Sequence, residues 1–221
     1  PPDRAVVQAL GAGSRIGAGA IVGDGAIEAA LGGVIEASSL DLTAAYDSSL
    51  PFPASLVRRA QVRAIGAGSA IDVDGAMVVR LLGEGTSADN ARIAALDGGV
   101  IRAGSVLLDG ERRTSFGLSD FMLMNIDPGS LIESDGIFET RGRVLVRNSG
   151  VIRSDGFIVG PATRSGFGLV ESPTVRIMGE VGGPFASGTV FDGGASSASV
   201  SAAISRSGAT IRNGAVVTLE G

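Results

Sequence analysis

Two pairs of aspartates carry the residue types and spacing that could do chemistry. Asp72 and Asp74 lie two apart in Ile71-Asp-Val-Asp-Gly-Ala76, so in an extended strand their carboxylates share a face. Asp135 and Asp155 hold equivalent places in Leu131-Ile-Glu-Ser-Asp-Gly-Ile137 and Val151-Ile-Arg-Ser-Asp-Gly-Phe157. If those copies lay on neighbouring strands, the carboxylates would stand about 5 Å apart, a separation that retaining glycosidases use. The same oxygens suit calcium, a hard cation that takes carboxylate ligands. A plainer reading competes with both: Ser-Asp-Gly is a common turn sequence, and such aspartates bend the backbone without forming a site. A sugar-degrading groove would also be expected to offer aromatic platforms, yet Tyr46 is the one tyrosine and tryptophan is absent. The Gly-Gly-x-Gly-x-Asp repeat of calcium-loaded β-rolls does not occur. No catalytic or cofactor-binding residue is therefore assigned, and Asp72, Asp74, Asp135 and Asp155 stand only as weak calcium candidates.

The rest of the composition removes whole reaction classes. The 221 residues include no histidine or cysteine, and all 18 basic residues are arginine. An imidazole base, a thiol nucleophile, a disulfide and a zinc site of the usual kind are excluded. So are a lysine Schiff base and a P-loop lysine. A net charge of −5 argues against a nucleic-acid partner, whose phosphates need a basic face. No apolar run reaches the roughly 18 to 20 residues of a membrane span. The chain opens Pro1-Pro2 rather than with Met and shows no signal peptide, so it reads as part of a longer product.

The elements that would position any site are repetitive. Glycine, at 35 residues, is roughly twice as common as usual. It does not fall at every third place, which excludes collagen, and regularly spaced Val, Ile and Leu argue against disorder. Three six-residue units begin at Leu10, Ile16 and Val22, each an aliphatic followed by Gly-x-Gly, and the unit returns at Ile65 and Ile71. A looser motif, an aliphatic or small residue then Ile then a charge, recurs around Ile35, Ile101, Ile132, Ile152 and Ile211. Those ten aliphatics are the expected core repeat. Glu133 and Arg153, at matching places in copies 20 residues apart, are expected to pair across strands on the outside.

These patterns predict an all-β chain: a single-chain parallel β-helix (β-solenoid) of about ten coils. Coils of roughly 20 residues would build a rod on the order of 50 Å long. One domain is expected over residues 1–221, with excursions near 41–60, 80–98, 110–118 and 180–200. Asp41 to Val57, holding Pro51 and Pro53, reads as a loop or protruding insertion. Thr86 to Leu96 is the best candidate for a short helix. Phe116 to Asn125 reads as a buried coil face, and Gly182 to Ser201 as a flexible outer loop.

Leu10-Gly-Ala-Gly-Ser-Arg and the two units after it resemble the hexapeptide repeat of left-handed β-helices. The acyltransferases among those proteins rely on a histidine base, and its absence here means that their chemistry does not carry over. Gly32-Gly-Val-Ile-Glu-Ala-Ser-Ser-Leu, Leu96-Asp-Gly-Gly-Val-Ile-Arg and Asn148-Ser-Gly-Val-Ile-Arg-Ser look like the degenerate repeats of filamentous-haemagglutinin-like adhesins and autotransporter passengers. Those are right-handed β-helices of bacterial surfaces, so both hands are open, with a slight lean to the right. Bactofilin-like scaffolds and phage tail spikes or fibre shafts are similar in style.

The resemblance implies a non-enzymatic structural or adhesive element of a bacterial cell surface or extracellular filament. The alternatives are a polymerising bactofilin-like scaffold, or a phage shaft with or without depolymerase activity. Expected partners are further copies stacked end to end, a continuation of the rod, or a host or surface glycan or protein receptor. The expected location is extracellular or on the cell surface, with a virion as the variant.

Overall fold

The computed structural model describes residues 6–46, 56–82, 91–110, 122–126, 129–140, 143–146, 150–159, 168–171, 174–178, 190–192, 210–212 and 216–220. Their regular structure is entirely strand, and among them no helix is long and apolar enough to cross a membrane. The chain alternates between two parallel sheets. The smaller holds, in order, β1 (Val6–Leu10), β3 (Gly25–Ala30), β6 (Ala60–Ile65), β8 (Ala91–Leu96), β10 (Met122–Ile126) and β12 (Arg143–Val146). The larger runs through β2 (Arg15–Gly23), β4 (Val34–Tyr46), β7 (Ala70–Leu82), β9 (Val100–Gly110), β11 (Leu131–Thr140) and β13 (Gly150–Val159). It continues through β14 (Gly168–Glu171), β16 (Val190–Asp192) and β17 (Thr210–Arg212), while β15 (Thr174–Met178) joins β13 and β18 (Val216–Glu220) joins β15. One short strand, β5 (Leu56–Arg58), pairs antiparallel with the end of β4.

This architecture corrects the expected β-helix of about ten coils. A closed helix adds a strand to every wall on each coil, but β14 to β18 add five strands to the larger sheet and none to the smaller. The described strands form two unequal parallel sheets, not a closed solenoid, and the choice of coil hand lapses with it. The even 20-residue coil fails as well. Ile35 pairs with Ile71, Ile71 with Ile101, Ile101 with Ile132 and Ile132 with Ile152. Successive passes therefore take 71 − 35 = 36, 101 − 71 = 30, 132 − 101 = 31 and 152 − 132 = 20 residues. Parallel pairing fixes where strands meet, whereas the connections between them are free to differ in length.

Three local expectations also change. Asp41 to Tyr46 is not loop but the continuation of β4, because Leu42 and Ala44 supply inward apolar positions that are fully covered. Ala91 to Leu96 is strand β8 rather than helix, since Ile93 and Ala95 fall on the buried face at a period of two. Met122 to Asn125 lies in β10 and Val190 to Asp192 forms β16. The rest of those two expected segments lies outside the described residues.

Short turns carry the chain from the smaller sheet to the larger, and they come in two alternating forms. Residues 11–14 and 66–69 read Gly-Ala-Gly-Ser, and Gly129-Ser130 ends a third turn the same way. Between them come Leu31-Gly-Gly33 and Asp97-Gly-Gly99. The two forms interlock. Buried Ser69 donates its hydroxyl to Ile65 O (2.7 Å) and accepts from Gly32 N (3.0 Å), and Ser130 Oγ likewise accepts from Gly98 N (2.9 Å). The glycine N–H of one form thus gains a partner from the serine of the next, as a buried donor requires. Gly99 cannot be replaced, because a Cβ there would sit 2.1 Å from Ala64 O, and at Gly33 the same distance separates it from Ala9 O.

Bends in the larger sheet are stacked too. The register shifts between Ala37 and Leu40, Val73 and Ala76, and Ser134 and Ile137, as β-bulges do when they kink a strand. At these bends a Cβ on Gly75, Gly104 or Gly136 would come within 2.7 to 2.9 Å of a carbonyl oxygen on the preceding strand.

Candidate functional site

Every long strand of the larger sheet begins with the same three-residue device: a half-buried residue, an inward aliphatic, then an outward charge. The inward row is Ile16, Ile35, Ile71, Ile101, Ile132, Ile152, Val170, Phe191 and Ile211, paired in unbroken register. Ile35, Ile71, Ile101, Ile132 and Ile152 are completely buried, each a gain of roughly 1.5 to 3 kcal/mol over exposure. Ile16 is partly buried against this core, and Ile211 holds its place in the backbone register, its side chain lying outside the described set. Ile65 closes β6 half-buried beside the turn.

Two members of the expected core repeat are not core. Leu10 is 48% exposed and Val22 76% exposed. Leu10 is the last residue of β1, on the other sheet from Ile16 and Val22. Along β2, Ile16 and Ile21 are the residues that pack against the core, and this five-residue step reverses the facing that a six-residue spacing would preserve. Val22 therefore points outward.

One residue on from the inward row runs the outward one: Gly17, Glu36, Asp72, Arg102, Glu133, Arg153, Glu171, Asp192 and Arg212, again in register. Its centre is a chain of ion pairs. Arg102 contacts Asp72 at 3.1 Å and Glu133 at 3.3 Å, and Glu133 also holds Arg153 at 2.9 Å. The Glu133–Arg153 pair is the one anticipated from the sequence. At the edge, Arg15 reaches across to Glu36. A second pair, Arg80 with Asp41 at 2.6 Å, lies beyond the bends, and Arg63 with Glu28, also 2.6 Å, lies on the smaller sheet.

The calcium candidates fall on this surface without converging. Asp72 and Asp74 do share the outward face, but Asp72 is engaged by Arg102. Asp135 and Asp155 are exposed and follow the registered pair Ser134 and Ser154, at the bends. Their position is that of turn residues. Among the described residues, no three acidic or other metal-binding side chains come together.

Chemically, this surface is a set of partnered charges over an apolar layer. A single exposed pair contributes about 0 to 1 kcal/mol, so the row matters more for alignment than for strength. A two-residue slip of β11 on β9 would place Glu133 opposite Val100 or Gly104 and leave Arg102 against Leu131 or Asp135. Comparison of the chain with protein-family models, with curated proteins and with solved structures finds no match.

Proposed function

We propose that the chain is a non-enzymatic structural or adhesive element of a bacterial cell surface or extracellular filament. One observation supports this most: the same inward-aliphatic, outward-charge device stacks without a break in register through nine strands. Such repetition provides an extended, regular face rather than a unique cleft. The outward charges then offer a host or surface glycan or protein a periodic surface to meet. The carboxylates of the central row are tied to guanidinium groups, which suits alignment better than proton transfer.

A pass deletion tests the proposal. Excising residues 101–131 removes one pass and brings Ile132 to the row that Ile101 occupied. A folded, shorter protein that keeps its surface binding is the expected outcome. Shortening of a surface glycan by the intact chain, lost on deletion, would overturn the non-enzymatic reading.

A further inference from the structure

We infer that β1 and β2 together form a strand-addition edge whose occupant is the same edge of a second copy, related by a two-fold axis. Among the described strands, β1 pairs only with β3 and β2 only with β4. Exposed edges are normally blunted by charge, proline or a bulge. Here β1 reads Val-Val-Gln-Ala-Leu, and β2 from Ile16 to Gly23 has neither charge nor proline. The β2–β4 register also runs without the shift seen in the later pairings. Val6, Leu10 and Val22 are exposed at this edge, and Val7, Ile16 and Ile21 are core-facing residues that stay only partly covered.

Charge allows two copies to meet here, although each carries a net −5. Arg15 is neutralised by Glu36, and Glu28 is held by Arg63 and Gln8. An axis perpendicular to both sheets sets β1 against the partner's β1 and β2 against its β2, each antiparallel, as an isologous interface requires.

Head-to-tail stacking fits worse, because the described far edge is stepped. There β17 lies beyond β16 while β18 lies directly on β15, and the smaller sheet has already ended at β12. Near the open edge, β5 takes the place beside β4 beyond Leu42. A parallel newcomer as long as β4 would run into it. The dimer is thus closed, and it does not depend on the structural or adhesive role.

Sedimentation equilibrium of the 221-residue chain over a wide concentration range tests this. The expected result is a shift from 22.0 kDa to twice that mass and no further. Leu10→Lys with Val22→Lys is expected to weaken the dimer at least about tenfold, while Ile137→Lys, at an exposed site on β11, leaves it intact. Hydrogen exchange on the unsubstituted chain supplies a reading that survives misfolding of the variants: β1 and β2 amides are expected to slow as the dimer forms. A chain that stays monomeric, one that grows past the dimer, a double variant that associates like the parent, or edge amides indifferent to concentration would each overturn the inference.

Discussion

The inward and outward rows of the larger sheet lie one residue apart on every strand, yet they obey different rules. Inward, Ile35, Ile71, Ile101, Ile132 and Ile152 repeat one residue type and are wholly buried. Outward, Glu36, Asp72, Arg102, Glu133 and Arg153 change sign along the sheet, and Arg102 and Arg153 remain about half exposed. Burial makes the first row the source of stability, since transfer from water scales with apolar area. Solvent screening makes the second row energetically slight. Its information lies in the order of its signs. An all-isoleucine row tolerates sliding by two residues; a row of alternating charge does not.

Both rows depend on the turns, so the largest expected effect falls there. Gly99→Ala forces a Cβ against Ala64 O and is expected to cost on the order of 4 kcal/mol or more, read as the loss of a cooperative urea transition. Gly13→Ala is the contrast. It shares the positive φ, 85°, but nothing lies within 4 Å of the added carbon, and about 1 to 2 kcal/mol is expected.

Next comes the inward row. Ile101→Ala should destabilise by about 2 to 5 kcal/mol and Ile101→Val by about 0.5 to 1.5 kcal/mol, measured by the same transition. A loss under about 0.5 kcal/mol for the alanine variant would erase the distinction between the rows.

The outward row should respond weakly and to salt. Glu133→Gln removes the anion between two arginines, and a loss of about 0.5 to 1 kcal/mol is expected in dilute buffer. Most of that difference should vanish near 1 M salt, where screening acts within about 3 Å. A difference that persists in salt would mean that Glu133 acts through packing instead. Smallest of all, Val22→Lys should change monomer stability by less than about 0.5 kcal/mol, because the side chain already faces solvent.

How legible this was varies by residue. The triplets around Ile35, Ile101, Ile132, Ile152 and Ile211 mark the inward row because strand alternation is local, and a charge directly after an isoleucine reveals which face is wet. Ala70-Ile71-Asp72 is a further copy of that motif, obscured by the Gly-x-Gly unit before it. Leu169-Val170-Glu171 and Val190-Phe191-Asp192 repeat the pattern without isoleucine and escape a search for that residue. Leu10 and Val22 misled for a geometric reason: spacing along the chain records neither a change of sheet nor an odd step along β2. The closed helix failed similarly, since equal motifs do not require equal passes or equal sheets. The serine–glycine interlock was visible as Gly-Ala-Gly-Ser at 11–14 and 66–69, but its partner turns, Leu31-Gly-Gly33 and Asp97-Gly-Gly99, look unlike it. Only the hydrogen bonds across the stack join the two.

The central claim is the parallel register that places Asp72 beside Arg102, and the absence of native cysteine makes it directly measurable. Disulfides require Cα atoms roughly 4.4 to 6.8 Å apart, close to the spacing of neighbouring strands. Asp72→Cys with Arg102→Cys should oxidise to an intramolecular bond in the folded monomer, detected by mass and by mobility with and without reductant. Asp72→Cys with Val100→Cys, shifted by two residues on the same face, should oxidise far more slowly. Faster bonding of the shifted pair, or equal bonding of both, would contradict the register on which the two rows stand.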